Sequence, residues 1–253
     1  MRSLHEWSLS YAEARELQTR LAGEVQFTPL KELPRRIAGL DCAFSRDGKR
    51  IFAAAVVLKV CSPAALGWET DTPEGGGATL AATFKFEHVE TVTAERKTEF
   101  PYVPGLLSFR EAPVCLEVVG KLSREPDLYM IDGQGVAHPR RLGLAAHLGL
   151  FFDRPTVGCA KSRLIGTFDE PADEKGAWSP LRDGEEVIGA VVRTRSHVKP
   201  VFVSVGQRCL LEDAVRVTLA CTTRYRIPEP TRLAHQAVSW IKLQDCTGSG
   251  RQG

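Results

Sequence analysis

DLYMID, residues 127–132, is followed directly by Gly133, and its apolar centre predicts a short buried strand that ends at Asp132. An ionised carboxylate at the end of a buried strand is unfavourable unless it is paired or binds a metal. Asp132 is therefore either a functional acid or the first residue of an Asp-Gly bend, and the stretch alone leaves both readings open.

A second apolar strand with an internal acid lies upstream. IAGLDCAF at 37–44 carries Asp41, and further strands are predicted at 52–60 and 82–90. The segment between them, 62–80, is rich in Gly, Pro and Thr, and we predict a long flexible hairpin loop that is an accessory feature rather than a domain boundary. We favour a passive loop over one that contacts substrate or a partner.

Helices and strands alternate through the rest of the chain. Helices are predicted at 9–23, 106–122, 140–150, 212–222 and 228–242, and strands at 155–160, 187–193 and 201–205. This order indicates an α/β fold with a mixed central sheet and helices on both faces. We predict one domain over residues 1–245 and a disordered tail at 246–253.

The composition excludes several classes of protein. The 253 residues are 43% hydrophobic and 25% charged, with a net charge of +2, so bulk charge does not indicate a nucleic-acid binder. No apolar run is long enough to cross a bilayer and the first residues do not resemble a signal peptide, so we expect a cytoplasmic protein without membrane contact. Seven scattered cysteines without a C-x-x-C pair indicate reduced thiols rather than a zinc site.

The two strand acids together suggest a metal site. Neighbouring strands that carry Asp41 and Asp132 would place the two carboxylates side by side, which suits Mg²⁺ and phosphodiester cleavage. The basic run HPRR at 138–141 supports this hypothesis, although two turn-capping aspartates remain the alternative. Taken by itself, Glu111 in SFREAP is typical of a solvated helix glutamate.

Several long segments, in the correct order, resemble the endonuclease V family. They are IAGLDCAF (37–44), AAAVVL (53–58), FPYVPGLLSFREAP (100–113), PDLYMIDGQGVAHPRRLGLAAHLGL (126–150), PTVGCAKSRLIG (155–166), PVFVSVGQR (200–208) and YRIPEPTRLAH (225–235). The resemblance implies a ribonuclease H-like fold and a nick at the second phosphodiester bond 3′ of hypoxanthine, in DNA repair or in processing of inosine-containing RNA.

The resemblance also assigns roles to residues. It implies that Asp41, Glu111 and Asp132 bind Mg²⁺, with Mn²⁺ able to substitute, and that Lys161 holds the scissile phosphate. Pro101, Tyr102, Val103 and Pro104 match a wedge at the lesion. Gly105, Leu107, Gly133, His138 and Leu144 match positions around the extruded base, while Arg140 and Arg141 match phosphate contacts. For His147 we favour a structural role.

One position departs from the family. The segment VSVGQR usually has histidine where this chain has Gln207, which could bind a metal or orient water but cannot shuttle a proton near neutral pH. We expect a monomer acting on hypoxanthine-containing nucleic acid. The alternatives are an inosine-binding protein with weak or lost cleavage, which Gln207 favours and the acids oppose, and a general structure-specific nuclease.

Overall fold

The computed structural model describes residues 1–61 and 83–248, so the loop predicted at 62–80 lies outside the described residues. The helices are α1 (Tyr11–Ala22), α2 (Leu107–Gly120), α3 (Leu144–Phe152), α4 (Leu211–Ala220) and α5 (Glu229–Gly248). The strands are β1 (Arg36–Phe44), β2 (Arg50–Val60), β3 (Phe86–Lys97), β4 (Leu128–Ile131), β5 (Thr156–Ala160), β6 (Trp178–Asp183), β7 (Glu186–Val192) and β8 (Val201–Gln207).

These strands form one mixed sheet in the order β3-β2-β1-β4-β5-β8-β7-β6. Strands β1, β4 and β5 are mutually parallel, and every other neighbouring pair is antiparallel. Because parallel strands point the same way, the carboxyl ends of β1, β4 and β5 lie toward the same edge of the sheet. That edge carries the candidate site.

Helices cover both faces of the sheet, as β2 shows. Its side chains alternate between the two faces. On one face, Ala53, Ala55 and Val57 pack in a cluster with residues of α2 and α3. On the other face, side chains of β2 pack against Val238 and Ala234 of α5. Both faces of this strand are therefore buried, which accounts for its continuous apolar sequence. The predicted mixed sheet with helices on both faces is confirmed.

Three predicted elements have a boundary that differs from the structure by more than two residues. Strand β3 runs over Phe86–Lys97 rather than 82–90, because it pairs with the whole of β2 despite its charged, exposed side chains. Helix α3 begins at Leu144, because Arg141 takes a φ of +54° and Gly143 is an extended N-cap. Helix α5 continues to Gly248, so the tail predicted from 246 is helical over its first three residues.

Strand β6 is absent from the sequence-based prediction. It is short, polar at one end and contains Pro180. A strand tolerates this residue because β6 is the last strand of the sheet among the described residues, with the isolated bridge of Arg182 to Thr167 on its outer edge. Helix α2, in contrast, continues through Pro113 as predicted. Within the described ranges, no helix has both the length and the apolar composition that a bilayer crossing needs.

Candidate active site

Asp41 and Asp132 lie next to each other at the shared edge of β1 and β4. The parallel register pairs Leu40 with Ile131, so the two aspartates follow as adjacent positions. The Asp132 N–H donates to the Leu40 carbonyl at 3.0 Å, which continues the ladder by one residue. Two acids 91 positions apart in the chain are therefore neighbours, as the two strand patterns predicted.

The Asp41 carboxylate is held at both oxygens. The Cys42 N–H donates to Oδ1 at 2.8 Å, and Nδ1 of His235 lies 2.6 Å from Oδ2. Burial raises the pKa of Asp41 above its ordinary value, the negative charge of Asp132 raises it further, and the His235 hydrogen bond acts in the opposite direction. A cation at this position would relieve both unfavourable contributions.

His235 is a site residue that the sequence analysis missed. It projects from α5, whose first turn packs directly on β1: a Cβ at Gly39 would lie 2.0 Å from the Pro230 carbonyl oxygen, so only glycine permits this approach. The close packing brings His235 to Asp41. The segment TRLAH belongs to the quoted resemblance, but a single histidine on a helix gives no sign of its partner.

Lys161 directly follows β5 at the same edge. Its Nζ contacts Asp132 Oδ2, and its carbonyl accepts a hydrogen bond from Arg226 Nη2 at 2.7 Å. The same Arg226 nitrogen also donates to the Pro200 carbonyl at 2.7 Å, so the backbone at Lys161 is anchored to the start of β8. The Lys161 side chain is 42% exposed and remains accessible to a phosphate.

Glu111 lies on α2 and is buried, at 9% exposure. Burial raises the pKa of Glu111 to about 8, and the negative charges of Asp41 and Asp132 add to this shift while Arg110 opposes it. The three acids are therefore close enough to repel one another. A solvated helix glutamate is excluded at this position.

The side chains present suit a small hard cation. Among the described residues, Asp41, Asp132 and His235 each offer one ligand atom, and these three atoms lie within 4.8 Å of one another. Carboxylate oxygens are the ligands that Mg²⁺ and Mn²⁺ prefer, and neither ion needs a complete set of protein ligands. Glu111 is not one of this group of three and adds negative charge beside it.

The loop before α2 presents an exposed ring. Tyr102 is 69% exposed between Pro101 and Pro104, whereas Val103 packs against the core. Gly105 has a φ of +77°, and its carbonyl accepts hydrogen bonds from Arg140 Nη2 at 2.6 Å and from His138 Nε2 at 3.1 Å. This loop is thus fixed to the segment that follows β4.

Comparison with known proteins agrees with this geometry. A sequence profile described as endonuclease V matches residues 66–236. An endonuclease V of Roseiflexus sp. (strain RS-1) is 43% identical over 92% of this chain and 94% of its own length. The chain belongs to the endonuclease V family. Its members are endonucleases, which are hydrolases that cleave phosphodiester bonds.

Solved endonuclease V structures share the fold. The structure from Streptomyces avermitilis has a TM-score of 0.81 and 39% identity, and covers 95% of this chain and 96% of its own. A variant from Ciona intestinalis, solved with a 23mer DNA containing an inosine followed by a ribo-adenosine, has a TM-score of 0.71 and 26% identity over 92% of this chain and 97% of its own. The ribonuclease H-like fold of the family is confirmed.

The structure contradicts the hypothesis that Gln207 replaces a catalytic histidine of endonuclease V. Gln207 pairs with Thr156, at the start of β5, about 13 Å along that strand from Ala160 and the acidic edge. Its side chain is buried, and Oε1 accepts from the Gln26 N–H at 2.6 Å. The imidazole near the acids comes from His235 instead.

Arg140 and Arg141 are not preformed phosphate contacts. Besides Gly105, Arg140 donates to Gln18 Oε1 at 2.6 Å, and Arg141 pairs with Asp183 and Glu186 at 2.8 and 2.7 Å. A phosphate would have to compete with these acceptors. The role of these two guanidinium groups as phosphate contacts stays a prediction, and such a contact would replace or share the acceptors that the protein supplies.

The remaining predicted residues lie around the segment after β4. His138 is buried, and burial together with the Arg140 charge lowers its pKa to about 4, so the neutral ring donates through Nε2 near pH 7. Gly133 packs on Leu144, since a Cβ added at Gly133 would lie 3.6 Å from the Leu144 Cβ. Leu107, which begins α2 after the loop that carries Tyr102, is 41% exposed. His147, predicted as structural, is fully buried and contacts Ser108 and His5.

Proposed function

We propose that this endonuclease V nicks nucleic acid at the second phosphodiester bond 3′ of hypoxanthine, as a monomer, with Mg²⁺ as its metal and Mn²⁺ as a substitute. The observation that carries the proposal is the convergence of Asp41, Asp132 and His235 within 4.8 Å, beside Lys161 and Glu111. The inosine in the DNA of the Ciona intestinalis complex supports hypoxanthine as the base recognised.

The residues divide the chemistry among them. Bound Mg²⁺ would lower the pKa of the attacking water and stabilise the charge on the departing oxygen. Asp41 and Asp132 would hold the cation, with Glu111 as the third acid, and His235 fixes the orientation of the Asp41 carboxylate. Lys161, whose ammonium group contacts Asp132, would bind the scissile phosphate and stabilise the negative charge that develops there during cleavage.

Recognition of the base is assigned to the loop at Pro101–Leu107. Tyr102 projects from a rigid Pro-flanked segment, so its ring can stack where a base has left a duplex. Gly105 takes a φ of +77°, which glycine adopts without strain, and Gly133, His138 and Leu144 lie in the neighbouring segment. Stacking by Tyr102 offsets part of the few kcal/mol lost when the base is unstacked.

An inosine-binding protein without cleavage is not favoured. That alternative depended on Gln207 as the lost catalytic group, and Gln207 is buried away from the acids. His235 supplies an imidazole at Asp41, and both strand aspartates and Lys161 are in place. The complete set of groups supports a cleaving enzyme.

The direct test uses labelled oligonucleotides with one inosine or a matched adenosine, as DNA and as RNA, with Mg²⁺ or with EDTA. We expect a 5′-labelled product that ends one nucleotide after inosine, only with Mg²⁺ and not on the adenosine control. Equal cutting of the adenosine strand would show a structure-specific nuclease instead, and binding of inosine without a nick would show the non-cleaving alternative. Size-exclusion chromatography checks the monomer.

A further inference from the structure

Two thiols contact each other beside the acidic site. Cys42 Sγ lies 3.3 Å from Cys115 Sγ. Cys42 directly follows Asp41 on β1, and Cys115 lies on α2 one helical turn after Glu111. The contact therefore joins the two elements that carry these acids, and neither thiol takes part in the proposed cleavage.

We propose that Cys42 and Cys115 form a disulfide site, at which oxidation by a peroxide inactivates the adjacent metal centre. The loss of nicking rests on the proposed function, whereas formation of the bond does not. Cys42 is half-buried and Cys115 is buried, so a small oxidant reaches Cys42 first.

The reaction balances with hydrogen peroxide as the oxidant. The Cys42 sulfur attacks one peroxide oxygen, the O–O bond breaks, and hydroxide leaves to give a sulfenic acid at Cys42. The Cys115 sulfur then displaces the hydroxyl group, and the S–S bond forms. The two sulfurs lose two electrons in total, and the peroxide leaves as two waters that carry the two thiol protons.

Bond formation would distort the acidic site. A disulfide has an S–S distance of about 2.05 Å, so the two sulfurs must approach by more than about 1 Å. The Cys42 N–H is the donor that fixes Asp41 Oδ1 at 2.8 Å, so movement of β1 at Cys42 moves the carboxylate. Catalytic groups generally must hold their positions within about 0.5 Å, so a carboxylate that follows about half of the sulfur movement would leave its productive position.

The test treats the full-length protein with hydrogen peroxide and divides each sample between two readouts. Tryptic digestion without reductant should yield peptides 37–46 and 111–121 joined by one disulfide, as found by mass spectrometry. Nicking of the inosine strand, and Mn²⁺ binding measured by electron paramagnetic resonance, should each fall about tenfold or more, by analogy with the loss of a ligand-positioning contact. Dithiothreitol should restore both.

Three variants complete the test. Cys115→Ala and Cys42→Ala should keep their activity through peroxide treatment, while Cys61→Ala, which removes an exposed thiol elsewhere, should remain sensitive. Absence of the joined peptides, or their presence with unchanged nicking and Mn²⁺ binding, would overturn the proposal. If the reduced protein does not nick the inosine-containing strand, the proposed function fails. The joined peptides and Mn²⁺ binding would still show whether the disulfide forms and whether it disrupts the metal site.

Discussion

At the residue scale, the main unfavourable feature of the metal-free site is the burial of carboxylates that also repel one another. Burial and two neighbouring acids raise the pKa of Glu111 to about 8, and burial and Asp132 raise that of Asp41. The folded protein therefore favours the protonated form of Glu111 over the ionised form. The stability that protonated Glu111 contributes is fully present below its ordinary pKa and is lost as pH rises through about 8.

Glu111→Gln tests this feature. The variant removes a charge but keeps the shape of the side chain, so the metal-free protein should become more stable at pH 8 and unchanged near pH 4, while nicking is lost. A gain of about 1 kcal/mol or more corresponds to a rise of roughly 2–4 °C in Tm, measured by calorimetry with EDTA. Glu117→Gln, on the outer side of the same helix, is the control and should show no such pH dependence. An equal Tm change at both pH values would refute the explanation.

His235→Ala and Gln207→Ala separate the two candidate positions. Removing His235 leaves Asp41 without its oriented partner, so nicking should fall about 10- to 100-fold with Tm nearly unchanged. Removing Gln207 leaves the Gln26 N–H unpaired, so stability should fall by about 1–3 kcal/mol while the folded fraction nicks normally. Initial rates and melting curves of both variants decide the matter, and the opposite pattern would restore Gln207 to the active site.

At the element scale, the site depends on which strands and helices meet at one edge. The parallel pair β1 and β4 brings Asp41 to Asp132, β5 delivers Lys161, and the first turn of α5 delivers His235 through its contact with Gly39. The loop before α2 is fixed from the other side, because Arg140 and His138 both bind the Gly105 carbonyl. The loop can therefore present an exposed ring without moving.

Tyr102→Ala tests this loop. A ring that fills the space left by an extruded base matters only where a base must leave a stack, so the loss should be larger on duplex than on single-stranded inosine DNA. We expect a decrease of about tenfold or more in kcat/KM on duplex, consistent with a stacking contribution of about 1–3 kcal/mol. Matched single- and double-stranded substrates of one sequence provide the measurement, and equal losses on both would remove the wedge role.

At the scale of the whole molecule, sequence patterns predicted the site residues that neighbouring strands place side by side. They missed the site residue that depends on packing between distant parts of the chain. Asp41 and Asp132 were predictable because both lie in apolar strands that adopt a parallel register. His235 was not, since its position depends on the approach of Pro230 to Gly39 across most of the chain. Gln207 was misplaced because nothing in VSVGQR shows that β8 runs antiparallel to β5. This direction places Gln207, at the end of β8, beside the start of β5 and away from the acids.

The sequence also leaves the partner of a residue undetermined where its type has two uses. The run HPRR indicated phosphate contacts, yet Arg140 and Arg141 bind protein acceptors, which only the folded positions of Gly105, Asp183 and Glu186 reveal. Strand β6 escaped prediction for a similar reason, because Pro180 is tolerated only at the edge of a sheet. Glu111 needed the family resemblance, and its burial beside the other acids agrees with that assignment.

The most direct measurement is Mn²⁺ binding by electron paramagnetic resonance to the wild-type protein, Asp41→Asn, Asp132→Asn and the surface control Glu16→Gln. If the two strand aspartates share one cation, each Asn variant should lose about tenfold or more in affinity and lose nicking with it, while Glu16→Gln binds and cleaves as wild type. Unchanged Mn²⁺ affinity in both Asn variants would contradict the metal centre at the β1–β4 edge.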